Sequence, residues 1–313
     1  MKTLLWFQTG TCGGETQAVL CADAPSFEQL FGLHGLELLW HPGLSRQSTH
    51  NTRKLIENIV VGELRLDMLC IEGSIITAPY GTGMFDTWME RAKKDWVLEL
   101  AAQAENVIAM GTCAAFGGVH AAPPNPSDCT GLQFNKSEPG GLLPADWRAK
   151  SGLPVINVAG CPAHPDAMTQ TLAWLAQELP LNLDELNRPQ MHFSQVVHQG
   201  CTRNEYHEYN IEESTLGGRG CLFFNLGCQG PLTHAICNSE LWNGQSSKTR
   251  IGVPCFGCTS PSFPIDSDLF ATEKIGEVPV RLPLGVERPR YMAYKNLARA
   301  AAPPRVRNKE MEP

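Results

Sequence analysis

The chain has no long apolar run. Nothing in it reaches the roughly 20 consecutive apolar residues that a membrane-crossing helix requires, so no spanning helix is expected. A twin-arginine pair is also missing. The opening MKTLLWFQTG has no small-residue cleavage site after it, so it reads as a first strand rather than a signal peptide. The chain is therefore expected to be cytoplasmic, or peripheral on the cytoplasmic face of a membrane. Charge is scarce as well: 18% of residues are charged, against about 25% in an average domain. That shortage points to a surface covered by a partner or to an interior filled by a cofactor. With a net charge of −7 and no basic stripe, a nucleic-acid partner is excluded. The glycines of TCGGET lack the Lys-Ser/Thr that must follow in a phosphate loop. No internal repeat or low-complexity block appears.

What the chain does have is cysteine, twelve in 313 residues. In a reducing compartment these are metal ligands or buried thiols rather than disulfides. Half of them fall between His198 and Cys258, in HQGC, CLFFNLGC, Cys237 and CFGC.

The two halves of the chain read differently. In the first, short apolar runs at Thr3–Gln8, Leu36–Trp40, Asp67–Ile71, Asn106–Met110 and Pro154–Val158 alternate with helical patterns. The helices are expected at Ser26–Leu33, with a capping box from Ser26 and Gln29, and at Thr52–Val61, Phe85–Gln103 and Pro165–Glu178. Strands alternating with helices give an α/β fold, a flavodoxin-like doubly wound parallel sheet, over residues 1–181. Over 182–287 periodicity fades while Gly, Pro, Asn and Cys accumulate. An irregular domain held together by something other than a packed core is expected there. A polar tail, 288–313, drapes over a surface or is disordered.

Three cysteines of the first half hold equivalent places. Cys12, Cys113 and Cys161 each lie just past a strand and beside glycine, as does Glu72 without the cysteine. In an open parallel sheet these positions converge on the carboxyl edge, where sites form. Cys21 and Cys129 match no pattern, and Cys70 reads as core. In the second half, seven ligand candidates divide into four and three. His198, Cys201, Cys221 and Cys228 suit a four-iron cluster; Cys237, Cys255 and Cys258 suit a three-iron one. Structural zinc in a zinc-stapled protein is the competing reading. It would need two tetrahedral sets, one ligand more than is present. His41, His120, His164 and His207 show no metal spacing and read as structural or exposed. Trp6, Trp40, Trp88 and Trp96 read as core or interface packing.

The motifs LLWFQTGTC, IEGSI, GTCAAFGGV, NVAGCPAHP, HQGCTR, GCLFFNLGCQGP, THAICNSELWN and CFGCTSPSFP follow one another in an order that resembles the small, electron-transferring subunit of NiFe hydrogenases. In style the chain is similar to the cytosolic uptake and hydrogen-sensing members. A related complex-I-like electron-transfer subunit would lack the CxxC-rich second half. The resemblance implies that the nickel–iron centre lies on a separate large subunit and that this chain carries three iron–sulfur clusters. Carried over by motif, Cys12, Cys113 and Cys161 hold the proximal cluster. Cys237, Cys255 and Cys258 hold a medial three-iron cluster (3Fe-4S). His198, Cys201, Cys221 and Cys228 hold the distal one, four-iron (4Fe-4S) or alternatively three-iron. Electrons from hydrogen oxidation would leave for an acceptor such as a quinone or redox protein, from a heterodimer that assembles further. A hydrogen-sensing regulatory subunit is the alternative.

Two departures from the family pattern stand out. The first motif usually reads CxxC, whereas CGGE here places Glu15 at the second cysteine. Either Glu15 gives an oxygen ligand to a four-iron proximal cluster, or one iron is absent and the cluster is three-iron, the form favoured on the softness of thiolate. A solvated Glu15 at a helix N-terminus is the plain alternative. The second departure is CLFFNLGC, which has one residue more between its cysteines than many family members.

Overall fold

Leu4, Leu5, Trp6 and Phe7 run without a polar break, the pattern of a strand covered on both faces. In the computed structural model, which describes residues 1–266 and 268–309, they form the middle of β1 (Lys2–Gln8) and all four are buried. The chain continues through α1 (Gly14–Val19), α2 (Phe27–Gly32), β2 (Leu36–Trp40), α3 (Thr49–Val60) and β3 (Leu66–Glu72). Next come α4 (Lys93–Gln103), β4 (Ala104–Met110), α5 (Gly111–Phe116), β5 (Ile156–Val158) and α6 (Pro165–Ala176). The five strands make one parallel sheet in the order β5-β4-β3-β1-β2. This is the doubly wound order of flavodoxin-like folds, with its switch point at β1 and β3.

Local chemistry explains the element ends. The Ser26 hydroxyl accepts from the Gln29 amide at 3.4 Å, and the Gln29 side chain accepts from the Ser26 amide at 2.9 Å, which closes the expected capping box. The helix expected from Phe85 starts only at Lys93. Thr87–Trp88 and Arg91–Ala92 instead pair as an antiparallel ribbon, and its turn residues Met89 and Glu90 have φ of 50° and 63°. The ribbon sets the half-buried Trp88 edge-on to the core rings Phe7 and Trp96.

At the opposite end of the sheet from the cysteines, Asp67 takes the Thr3 amide at 2.9 Å and an Arg65 guanidinium at 2.9 Å. Burial opposes its ionisation, but the Thr3 amide and hydroxyl, Arg65 and Lys2 outweigh this and lower its pKa. A depressed carboxylate adds stability that is complete above the unfolded value near 3.9 and is lost as pH falls through the folded value. Asp67→Asn is expected to cost about 1.5–3 kcal/mol at neutral pH. Denaturant midpoints from pH 7 down to 3 should show the variant's deficit shrinking at the acid end; a deficit independent of pH would refute the ionic account.

The described residues divide into two compact units, Met1–Met191 with Thr259–Pro264, and His192–Cys258 with the residues from Ile265 on. The first unit extends past 181 because Asn157 of β5 donates its amide to Asn187 and its side-chain amide to Leu186. The second unit has little regular structure. Its buried cluster is Cys221, Leu222, Phe223, Phe224, Leu226 and Cys228, with Tyr206, Cys255 and Tyr291 against it. The stretch expected as a polar tail is helical up to Arg307, forming α8 (Arg288–Ala301) and α9 (Pro304–Arg307). Alanine and arginine favour helix here, and Val306 is fully buried with Ala302 against Ile211. The last residues of the tail, 310–313, lie outside the described residues. Among the described residues no helix is long and apolar enough to cross a membrane.

Candidate metal centres

At the carboxyl edge of the sheet, Cys12 lies in the loop after β1, Cys113 in α5 directly after β4, and Cys161 in the loop after β5. Glu72, at the end of β3, is fully buried and holds this edge together. It accepts from Trp6 Nε1 at 2.8 Å, Gln8 Nε2 at 3.0 Å, Thr11 Oγ1 at 3.0 Å and the Thr16 amide at 3.3 Å. Burial works against its charge, but the bonds from Thr16, Gln8 and Trp6 prevail and lower its pKa. Thr11 and Thr16 bracket the Cys12–Glu15 turn, so one anionic side chain fixes both sides of that turn. His41, also fully buried, backs the network with Nε2 at 3.3 Å from Thr16 Oγ1. This confirms its structural reading.

The loops after β4 and β5 are tied together too. The Thr112 amide donates to Gly160 O at 2.7 Å, and Gly160 N donates to Thr112 Oγ1 at 2.9 Å. These bonds flank Cys113 and Cys161. Glu15 joins the same knot, accepting from the Ala163 amide at 2.7 Å. Its reading as a solvated carboxylate is wrong, since it is only 8% exposed. The cause is steric: Glu15 fills the space beside Gly111, where a Cβ would fall 2.0 Å from its Oε1. Burial pushes the Glu15 carboxyl up to about 8; the Ala163 bond works against this and the Glu72 charge adds to it. The Cys113 thiol is raised by burial, with Glu15 and Cys12 near enough to repel its charge. Gly118 leaves room for it, because a Cβ there would meet Cys113 Sγ at 2.6 Å. Cys70 is fully buried in β3, Cys129 is buried, and Cys21 is exposed.

In the second unit, His198, Cys201, Cys221 and Cys228 line one small cavity with Arg203, Phe223 and Pro231. His198 Nε2 is buried there and has no hydrogen-bond partner among the described residues. Cys237, Cys255 and Cys258 form the second set, close enough that Cys258 raises the thiols of both others. The two sets meet where the Cys255 amide donates to Cys228 Sγ at 3.3 Å. Burial pushes Cys228 to about 11 and Cys237 to about 12, and raises Cys221 and Cys255 further. Buried thiols grouped in this way ionise only beside a cation, so metal entry must release their protons. Among the described residues no three such groups close to the spacing of a single metal ion. A polynuclear cluster asks for something different, because each thiolate binds its own iron.

Two residues at the His198–Cys201–Cys221–Cys228 cavity were missed from the sequence. Arg203 is 8% exposed, and its guanidinium donates to Thr249 O at 2.6 Å, Gly220 O at 2.8 Å and Gly218 O. It is a cation beside the thiols of Cys221 and Cys228, favouring their ionised forms. The only signal for it was its place two residues after Cys201. His207, read as structural or exposed, sits against both His198 and Cys221. No spacing rule in the sequence indicates this.

Residues 12–175 match the family described as NADH ubiquinone oxidoreductase, 20 Kd subunit, and residues 193–271 match the C-terminal family of the NiFe/NiFeSe hydrogenase small subunit. The chain is 32% identical to the F420 non-reducing hydrogenase II small subunit of Methanosarcina mazei, over 83% of this chain and 73% of that one. It is 30% identical to the periplasmic NiFe hydrogenase small subunit 1 of Nitratidesulfovibrio vulgaris Hildenborough, over 83% and 79%. Among solved structures, a chain of the actinobacterial-type NiFe-hydrogenase from Ralstonia eutropha H16 superposes with a TM-score of 0.81 at 29% identity, covering 100% of this chain and 92% of that one. With two family matches along its length and relatives 30% or more identical over most of both chains, the chain belongs to the NiFe hydrogenase small-subunit family.

Proposed function

We infer that this chain conducts electrons between a NiFe active site on a large subunit and an acceptor outside the complex, using three iron–sulfur clusters. Bound clusters would supply one-electron uptake and release. Cys12, Cys113, Cys161 and Glu15 would hold the proximal one, Cys237, Cys255 and Cys258 the medial one, and His198, Cys201, Cys221 and Cys228 the distal one. The observation that carries the reading is the outer cavity, where three thiols and an unpartnered buried imidazole nitrogen face a common space. Soft sulfur donors with a single imidazole fit iron–sulfur ligation.

The rest of the chain's work is positioning. Glu72 fixes the Cys12 turn, and the Thr112–Gly160 bonds fix Cys113 against Cys161. Arg203 places a buried positive charge where thiolates accumulate negative charge. Near the sheet's carboxyl edge Tyr80, Met84, Phe85 and Val119 are exposed, apolar surface that a large subunit would cover. For the proximal cluster we favour the four-iron form with Glu15 as a ligand over the three-iron form. A carboxylate enclosed by Gly111 and Ala163, with no cationic side chain on it among the described residues, is placed to meet a cation. A cytoplasmic location and an acceptor such as a quinone or redox protein belong to the same proposal.

Iron and acid-labile sulfide analysis of the purified subunit pair, followed by paramagnetic resonance through a redox titration, tests the reading. Three separately titrating centres are expected. Stoichiometric zinc without sulfide, or a single centre, would overturn it.

A further inference from the structure

His207 has no metal-ligand spacing, yet the fold sets it behind the outer site. It lies on α7 (Asn204–Glu208), the turn of helix that follows Cys201. Its ring stacks on Phe224 with centroids 5.3 Å apart at 18°, touches Phe223 at 5.5 Å, and meets His198 edge-on at 4.3 Å. Three ring contacts fix its plane. In that plane Nδ1 lies 3.4 Å from Cys221 Sγ, within hydrogen-bond reach of sulfur. His207 is not among the residues that line the cavity. It therefore stands behind a ligand sulfur rather than beside the bound group. A cysteine bound to iron carries no proton and can only accept, so the hydrogen of this bond must sit on Nδ1.

We propose that His207 is a positioning residue for the outer cluster, donating an Nδ1–H hydrogen bond to the Cys221 thiolate and thereby raising that cluster's reduction potential. The inference rests on the reading of His198, Cys201, Cys221 and Cys228 as one ligand set. The physical cause is charge: an N–H aimed at a thiolate draws electron density from it, and the added electron on iron is then better tolerated.

A redox titration of the intact heterodimer, followed by paramagnetic resonance, tests this. His207→Phe keeps a ring on Phe224 and removes the donor. At a fixed potential it is expected to shift the reduced-to-oxidised ratio of the outer cluster about tenfold towards oxidised, a midpoint lower by about 59 mV. His207→Asn carries an amide N–H close to the Nδ1 position and should hold most of the parent midpoint. An unchanged midpoint in the Phe variant overturns the inference and leaves the ligand set standing. So does an Asn variant that falls as far as Phe, because the effect then follows the ring and not the N–H. A second measurement needs no variant. In heterodimer labelled with nitrogen-15 histidine, pulsed resonance should find a second, weakly coupled imidazole nitrogen with an exchangeable proton beside the ligand nitrogen of His198, and its absence overturns the inference. A parent heterodimer with no outer-cluster signal at all overturns the ligand set, and this inference with it.

Discussion

Stripping iron from the purified subunit pair is expected to unfold the second unit while the parallel sheet of the first survives. The buried cluster of the second unit is a short run from Cys221 to Cys228, and two of its own members, Cys221 and Cys228, are cysteines proposed as ligands. Its regular elements are few and short between His192 and Cys258. The thiols of Cys221, Cys228, Cys237 and Cys255 all lie deep in the protein with raised pKa values, so they add little stability until a metal replaces their protons. In small metal-held domains the binding free energy is folding free energy, ~10 kcal/mol or more for structural zinc. Losing even part of that exceeds what a unit of this kind can hold in reserve, since whole domains are stable by only about 5–15 kcal/mol. The sheet has its own apolar core from Leu4 to Phe7, Leu66 to Ile71 and Val107 to Met110, and does not depend on iron. Hydrogen exchange on the chelated complex should show full loss of protection at 221–228 and 255–258, with β1, β3 and β4 still protected. Protection in both units without iron would count against a metal-held second unit.

The other large effect is expected at Glu15. As the proposed anionic oxygen ligand it would hold one iron that three thiolates alone would not keep. Glu15→Gln retains the size and the acceptor for the Ala163 amide but removes the charge. The proximal cluster should then lose an iron and display a three-iron signal when oxidised, while the medial and distal signals are unchanged. Glu15→Cys supplies a fourth thiolate instead. It should keep four irons and lower the proximal midpoint by on the order of 100 mV, because ligand type and net charge set the potential. Paramagnetic resonance on the two variants reads both results. A parent complex with a stoichiometric three-iron proximal signal would refute the carboxylate ligand. An unaltered four-iron cluster in the Gln variant would refute it equally.

Much of this site was legible in the residues themselves. The first and fourth strands announce themselves through the unbroken apolar runs 4–7 and 107–110, and the second through a run at 36–40 that only Glu37 interrupts. Each is followed by glycine or proline, and that punctuation places Cys12 and Cys113 at strand ends. The Ser26–Gln29 capping box is a four-residue affair and needs no tertiary context. The helix from Phe85 was misread because its periodic apolar positions, Trp88 and Trp96 among them, serve a ribbon and a helix in turn. Two consecutive left-handed residues, Met89 and Glu90, carry no glycine to signal them. The tail was misread because α8 buries no residue and its anchor, Val306, lies in the short helix beyond it.

The sequence by itself determined which side chains carry the chemistry. Ligand identity is a property of the residue, and the spacing of HQGC, CFGC and the strand-end cysteines follows from local geometry that a few neighbouring residues enforce. Only the tertiary structure decided what surrounds those ligands. Glu15 has the same local signals whether solvated or enclosed, and the choice was made by Gly111 and Ala163, nearly 100 and 148 residues away along the chain. Glu72 becomes a clamp only when β3 is laid beside β1. Arg203 and His207 acquire their places at the outer site only when the 221–228 segment folds back over them. Burial, repulsion between thiols and hydrogen bonds to sulfur are sums over neighbours in space, and no pattern along the chain contains them.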